Sequence, residues 1–119
     1  MRSRNHRDSD GAIEIVGRLK DPFFRGIHYG EIAGTLALKN DSEGVEEILN
    51  LVSEDPGRMV LEDLDMVDMV LGDVARQHAW AGGNLERAKQ YAARISRQKE
   101  RERVLSQIKH PPLWAKHRC

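Results

Sequence analysis

The chain has 119 residues, of which 39% are apolar and 32% are charged, and its formal net charge is zero. This length suits one domain that buries a core without disulfides or metals, and the six Phe, Trp and Tyr residues predict a mostly aliphatic core. The single cysteine, Cys119, excludes an internal disulfide. No stretch approaches the roughly 20 apolar residues of a membrane span, so we expect a cytoplasmic protein.

The neutral sum hides a strong segregation of charge along the chain. Residues 41–73 carry one basic and eleven acidic side chains, whereas residues 74–119 carry eleven basic and three acidic ones. Two hypotheses follow from this pattern. The acidic and basic faces meet between copies of the chain and form a homo-oligomer such as a homodimer, or they pair within one copy.

Three segments organise the chain. Residues 1–9 are predicted as a disordered basic lead-in, 10–110 as a single helical-repeat domain and 111–119 as a C-terminal tail. The first helix is expected to be capped by Ser9 or Asp10, because apolar side chains recur after these residues near the 3.6-residue period. The Asp21-Pro22 pair ends it, since proline disfavours helical geometry in the residue before it.

The second helix is predicted from about Pro22 to Leu38, because proline fits the first turn of a helix. Each glycine inside a helix costs roughly 1 kcal/mol relative to alanine. We therefore expect a neighbouring helix to pack closely against the small residues of this segment, which are Gly26, Gly30, Ala33, Gly34 and Ala37.

The third helix is predicted to begin near Ser42, after two further capping residues, and to end at Asp55-Pro56. The fourth is predicted from about Pro56 to Trp80 or Ala81. Its apolar seam comprises Val60, Leu64, Val67, Leu71 and Val74.

Gly82 and Gly83 are expected to end the fourth helix, and Asn84 is expected to cap the fifth. The fifth helix is predicted from Leu85 to about Ser96. The sixth helix is predicted from about Gln98 to Ile108, where a histidine and two prolines stop it.

The segment Ala79–Ala92 resembles the turn between the two helices of a tetratricopeptide repeat. The matching residues are Gly83 at the turn, Leu85 at the start of the second helix, Ala88 at the helix crossing and Tyr91 near the aromatic site. This resemblance implies an α-helical scaffold that binds proteins, and it brings no catalytic residues with it.

A repeat is also indicated by Asp21 and Asp55, which both precede proline and lie at a spacing typical of stacked helical hairpins. We therefore predict an all-α fold with about six helices in three antiparallel hairpins. These form a short tetratricopeptide-like solenoid or a compact bundle.

No motif predicts an enzyme, because the chain has neither a strand-turn-helix nucleophile motif nor a glycine-rich phosphate loop. Asp65 and Asp68 share a helix face, but a divalent cation requires oxygens that converge from several directions. We therefore expect a solvated or partner-facing surface for the acidic run of the fourth helix, which comprises Glu62, Asp63, Asp65, Asp68 and Asp73. His110, His117 and Cys119 do not supply the paired ligands of a structural zinc site. We expect no metal, cofactor, small-molecule substrate or membrane partner.

The predicted function is protein–protein interaction, as an adaptor, a small chaperone or an assembly subunit. Candidate partner-binding residues are methionines, aromatic residues and carboxylates: Met59, Glu62, Asp63, Asp65, Met66, Met69, Trp80, Tyr91 and Trp114. The alternative is nucleic-acid binding through the basic C-terminal helices. Its candidate residues are Arg87, Arg94, Arg97, Lys99, Arg101 and Arg103.

Overall fold

The fold is all-α, as predicted. The computed structural model describes residues 4–58, 60 and 65–112, with side chains from residue 11 onward. Within these ranges it contains six α-helices, and the only β-type pairing is an isolated bridge between Val60 and Asp65. The helices are α1 (Arg4–Gly17), α2 (Pro22–Leu38), α3 (Ser42–Glu54), α4 (Met66–Arg76), α5 (Leu85–Ala92) and α6 (Gln98–Lys109). A π-helical turn, Gln77–Ala81, extends α4.

Side-chain caps explain where most of the helices begin. Four of them start after an Asp or Asn whose side chain accepts a hydrogen bond from a backbone N–H of the first turn, which satisfies a donor that the helix leaves free. The pairs are Asp21 with Phe23, Asp41 with Gly44, Asp65 with Val67 and Asn84 with Arg87. The predicted limits of α2 and the predicted starts of α3, α5 and α6 are confirmed.

The fourth helix begins at Met66, so the prediction of a continuous helix from Pro56 is wrong. The chain leaves α3 through a turn in which the Arg58 N–H donates to the carbonyl oxygen of Asp55 at 2.9 Å. The Gly57 N–H donates to the carboxylate of Asp55 at 2.7 Å. These bonds hold the backbone out of the helical path, and Asp65 then supplies a second cap at which the helix starts.

Two other helix limits differ from the prediction. The helix α1 begins at Arg4, which lies inside the segment predicted as a disordered lead-in and before the predicted caps Ser9 and Asp10. The helix can start this early because no glycine or proline interrupts the chain from Arg4 to residue 10. The helix α5 ends at Ala92 rather than near Ser96, because the N–H groups of Ser96 and Arg97 donate to Asp68 of α4 instead of continuing the helix.

The helix α4 lies at the centre of the bundle and contacts α2, α3, α5 and α6. The predicted close packing on the small residues of α2 is confirmed. A methyl group added at Gly26 would lie 3.0 Å from Cε of Met66, and one added at Gly30 would overlap the carboxylate of Asp73. Side chains of α4 therefore occupy the space that a methyl group on these α2 glycines would need.

An ion pair fixes the connection between α1 and α2 to the end of α3. Arg25 donates from Nε and Nη2 to the two carboxylate oxygens of Asp55 at 2.8 and 2.9 Å, and from Nη1 to the carbonyl oxygen of Leu19 at 2.6 Å. The side chains of Arg25 and Asp55 are only 13% and 8% exposed. This hydrogen bond from Arg25 is the main reason why the pKa of Asp55 is lowered.

Within the described ranges, the buried apolar side chains are non-aromatic apart from Tyr29 and Tyr91. The radius of gyration is 13.9 Å, close to the about 13.5 Å expected for a compact chain of this length, which favours the bundle among the predicted arrangements. Among the described residues, no helix is long and apolar enough to cross a lipid bilayer.

Candidate functional site

A groove lies between α2, α4 and α6, and we refer to it as the α2–α4–α6 groove. Its volume of about 410 Å³ falls in the range of ligand-binding clefts. Its apolar lining comprises Phe23, Ile27, Met69, Gly72 and Val104, and its charged lining comprises Asp68, Asp73, Arg76, Glu100 and Arg103. The groove thus combines apolar walls with a small set of charged groups.

Two adjacent aromatic side chains mark the edge of the groove on α2. Phe23 is 39% exposed and lines the groove, and Phe24 is 52% exposed. Their rings pack edge to face with centroids 6.1 Å apart. The two rings form an apolar surface continuous with the groove wall at Ile27, which is the kind of surface that a partner gains energy by covering.

Both cations of the groove are held by neighbouring side chains. Arg76 donates to Oδ1 of Asp73 at 2.7 Å and to Oε1 of Gln107 at 2.9 Å. Arg103 donates from Nε and Nη2 to the carboxylate of Glu100 at 2.7 Å each. Their positive charges are therefore largely compensated inside the groove lining.

Asp73 has an unusual position for a carboxylate. Its oxygen Oδ2 lies against the backbone of Gly30, and its side chain remains 39% exposed. Burial raises the pKa of Asp73 above its ordinary value, the guanidinium of Arg76 opposes this increase, and the charge of Glu31 adds to it. The surroundings of Asp73 thus favour its charged form less than water does.

Asp65 and Asp68 are both 3% exposed and do not form the solvated or partner-facing surface expected for the acidic run. Besides capping α4, Asp65 accepts a hydrogen bond from Arg58 at 2.8 Å. Asp68 accepts the Ser96 N–H and hydroxyl at 2.8 Å each and the Arg97 N–H at 3.1 Å. These carboxylates hold the loops that precede α4 and α6.

The remaining candidate partner-binding residues fall into three groups. Met66 is fully buried against α2, whereas Met69 lines the groove. Trp80 is half-buried and donates from Nε1 to the carbonyl oxygen of Gln107 at 3.0 Å, and Tyr91 is buried. Outside the described residues lie Met59, Glu62, Asp63 and Trp114.

Tyr91 on α5 contacts two other side chains through its ring, His78 and Arg94. The ring of the buried His78 stacks on it with centroids 5.4 Å apart, and the guanidinium of Arg94 lies 5.6 Å from the Tyr91 ring centre. Burial lowers the pKa of His78, and the positive charge of Arg87 lowers it further. The fold therefore favours the neutral form of His78.

The acidic and basic segments meet within the chain. Arg94 donates to both carboxylate oxygens of Glu46 on α3 at 2.6 and 2.9 Å, and Arg97 lies 4.0 Å from the carboxylate of Asp65. Arg87 donates to the hydroxyl of Ser42. These contacts favour the hypothesis that opposite charges pair inside one copy.

The groove could not be recognised from the sequence because its walls come from three separate helices. Phe23 and Ile27 on α2 are four residues apart, and Asp73 and Arg76 on α4 are three apart. Such spacings place each pair on one helix face, but they do not show which faces meet.

Among residues 11–58, 60 and 65–112, no three His, Cys, Asp or Glu side chains converge as a metal site. Comparison of the chain with protein-family models, with curated proteins and with solved structures finds no match. The resemblance to tetratricopeptide repeats therefore stays a prediction.

Proposed function

We propose that this protein is a non-enzymatic interaction module, an adaptor, small chaperone or assembly subunit, that binds a polypeptide partner in the α2–α4–α6 groove. The observation that carries the proposal is the open cleft of about 410 Å³ whose apolar wall continues onto the exposed rings of Phe23 and Phe24.

The free energy of this binding would come from burying apolar surface that is now exposed to water. Burial of a Phe side chain is worth about 1.5–3 kcal/mol relative to leaving it exposed. Phe23 and Phe24 still expose 39% and 52% of their surface, so a partner that covers them gains part of this energy at each ring. Aromatic residues of this kind contribute strongly to protein–protein interfaces.

Nucleic-acid binding is the alternative, and the contacts of the basic side chains favour it less. Arg94 and Arg103 each pair with a carboxylate through two hydrogen bonds. Arg101 donates to the carbonyl oxygen of Ile95 at 2.9 Å, and Arg87 to a serine hydroxyl. A phosphate group would have to compete with these internal acceptors for each guanidinium.

The proposal includes a cytoplasmic setting, since one cysteine requires no oxidising compartment. The partner in this proposal is a different protein or a second copy of this chain. Light scattering of the purified chain at several concentrations identifies the second case.

The test is a pull-down from lysate of the source organism with tagged wild type, Phe23→Ser and Ile15→Ser, with and without nuclease. Ile15 is a matched control because it is 65% exposed on α1 and lies outside the groove lining. We expect one protein to remain bound to wild type and Ile15→Ser after nuclease, and its recovery to fall at least about tenfold with Phe23→Ser.

Two results would contradict this reading. Equal recovery with Phe23→Ser would show that the groove is not the binding surface. Loss of all binding after nuclease would support the nucleic-acid alternative instead. Far-UV circular dichroism of each variant verifies that the helical fold is retained.

A further inference from the structure

The groove presents one carboxylate oxygen that has no hydrogen-bond donor among the described residues. Oδ1 of Asp73 accepts from Arg76, but no hydrogen bond reaches Oδ2 of the same side chain. Gly30 provides the space in which Oδ2 lies. A partner that brings a positive charge to this oxygen would therefore satisfy an acceptor and stabilise the charged carboxylate.

The charge balance of the lining also favours a cation. Among the residues that the structure describes, three carboxylates and two guanidinium groups line the groove, which gives this part of the lining an excess of one negative charge. Arg103 is compensated by Glu100 and Arg76 is shared between two acceptors, so the two cations do not cancel the remaining charge at Asp73. The nearby charge of Glu31 adds to the negative potential at this position.

The walls restrict the cation further. Phe23, Ile27 and Met69 line the groove, so a bound side chain must cover them with an apolar stem. Lysine carries four methylene groups below a compact ammonium group that needs only one strong acceptor. The planar guanidinium of arginine pairs best with two carboxylate oxygens, and Arg76 already occupies one of them.

We propose that the α2–α4–α6 groove receives a lysine side chain of the partner polypeptide, with its methylene groups against Phe23 and Met69 and its ammonium group at Oδ2 of Asp73. This inference rests on the proposed function and specifies the chemistry of the partner. A partner segment of this kind presents one lysine between apolar residues that cover Phe24.

The test uses the full chain labelled with ¹⁵N and small probes added in NMR titrations. The probes are N-acetyl-lysine-N-methylamide, its norleucine and arginine counterparts, and n-butylammonium. The amides of Gly30, Gly72 and Asp73 report on the groove. We expect the lysine probe to shift these amides and to bind at least about fivefold more tightly than the norleucine probe, which has the same stem without the charge.

Two variants test whether Asp73 causes the preference for the lysine probe over the norleucine probe. Asp73→Asn keeps the side-chain volume and an acceptor for Arg76, and we expect it to reduce the lysine-to-norleucine ratio to about one. Glu54→Gln removes a carboxylate at the exposed end of α3, outside the groove, and we expect it to leave the ratio unchanged. The comparison of probes on wild type remains decisive if Asp73→Asn proves unstable.

Each other outcome overturns the inference. Equal affinity of the lysine and norleucine probes refutes the charge pairing but leaves an apolar docking groove, and with it the proposed function. Stronger binding of the arginine probe contradicts the choice of lysine. Tighter binding of n-butylammonium than of the lysine probe shows that a polypeptide backbone is excluded, and absence of groove shifts with every probe removes the site.

Discussion

Replacement of Asp68 by alanine is expected to destabilise the protein strongly, although this residue was placed on an exposed acidic surface from the sequence. Its carboxylate accepts three hydrogen bonds from Ser96 and Arg97, which precede α6. With the side chain 3% exposed, alanine leaves three donors without their charged acceptor in a largely buried place. The loss therefore affects the docking of α6 on α4 directly.

The magnitude can be worked from these three bonds. A hydrogen bond to a charged group contributes about 1.5–3 kcal/mol, but the three share one carboxylate and are not additive. Ser96 is exposed, so water can reach part of the freed donors after the substitution. We expect a loss of about 3 kcal/mol, a large share of the roughly 6–18 kcal/mol typical of a 119-residue chain.

The assay is urea denaturation followed by far-UV circular dichroism. Asp68→Asn retains one acceptor and should cost about half as much as Asp68→Ala, and Ser96→Ala, which removes only the hydroxyl bond, should cost about 1 kcal/mol. Glu54→Ala on an exposed position is the control and should change stability by at most about 0.5 kcal/mol. A loss below about 1 kcal/mol for Asp68→Ala, or one equal to that of Ser96→Ala, would refute the reasoning.

Three further predictions concern other parts of the bundle. Arg25→Ala removes the cationic partner of the buried Asp55 carboxylate and leaves it, among the described residues, only the Gly57 N–H, so the free energy of unfolding should fall by about 3 kcal/mol in the same assay; an effect below about 1 kcal/mol would contradict this. Gly30→Ala should cost about 1 kcal/mol net, because overlap with Asp73 outweighs the better helix propensity of alanine. Gly11→Ala, with open space around it, should instead stabilise the protein by up to about 1 kcal/mol. Similar effects of both substitutions would contradict the packing argument. His78 has a lowered pKa in the folded state, so the unfolded chain binds its proton first and stability should fall as the pH decreases below about 6.5. Chemical denaturation from pH 7.5 to 5 should show a shallower decline in His78→Phe, and an unchanged slope would exclude this residue as the cause.

The sequence predicts the helices best where a cap and an apolar period coincide. The limits of α2 follow from Asp21-Pro22 at one end and from the residues before Ser42 at the other. The start of α4 was misjudged because both Asp55 and Asp65 are suitable caps. Local preference does not decide between them. In the folded chain the Asp55 carboxylate accepts from the Gly57 N–H in a turn, whereas Asp65 caps α4 and accepts from Arg58.

The candidate site was less predictable for a related reason. Asp68 resembles its acidic neighbours in the sequence, yet its backbone donors lie 28 and 29 residues later in the chain, beyond α5. The groove requires knowledge of which faces of α2, α4 and α6 meet, and Phe23 or Asp73 alone carries no sign of this. Periodicity indicates which apolar residues share a helix face, but contacts between distant parts of the chain determine which carboxylates are buried.

The π-helical turn after α4 changes the angular phase of that helix. The Gly82 N–H donates to the carbonyl oxygen of Gln77 at 2.9 Å, five residues earlier, so the turn holds one residue more than an α-helical turn. Since each helical residue rotates the chain by about 100°, the extra residue changes the direction in which the side chains of the turn point, and within it His78 stacks on Tyr91 of α5 while Trp80 donates to Gln107 of α6. Deleting one residue here would convert the turn to α-helical geometry and rotate one of these two side chains away from its contact, so this segment should accept substitutions more readily than a change in length.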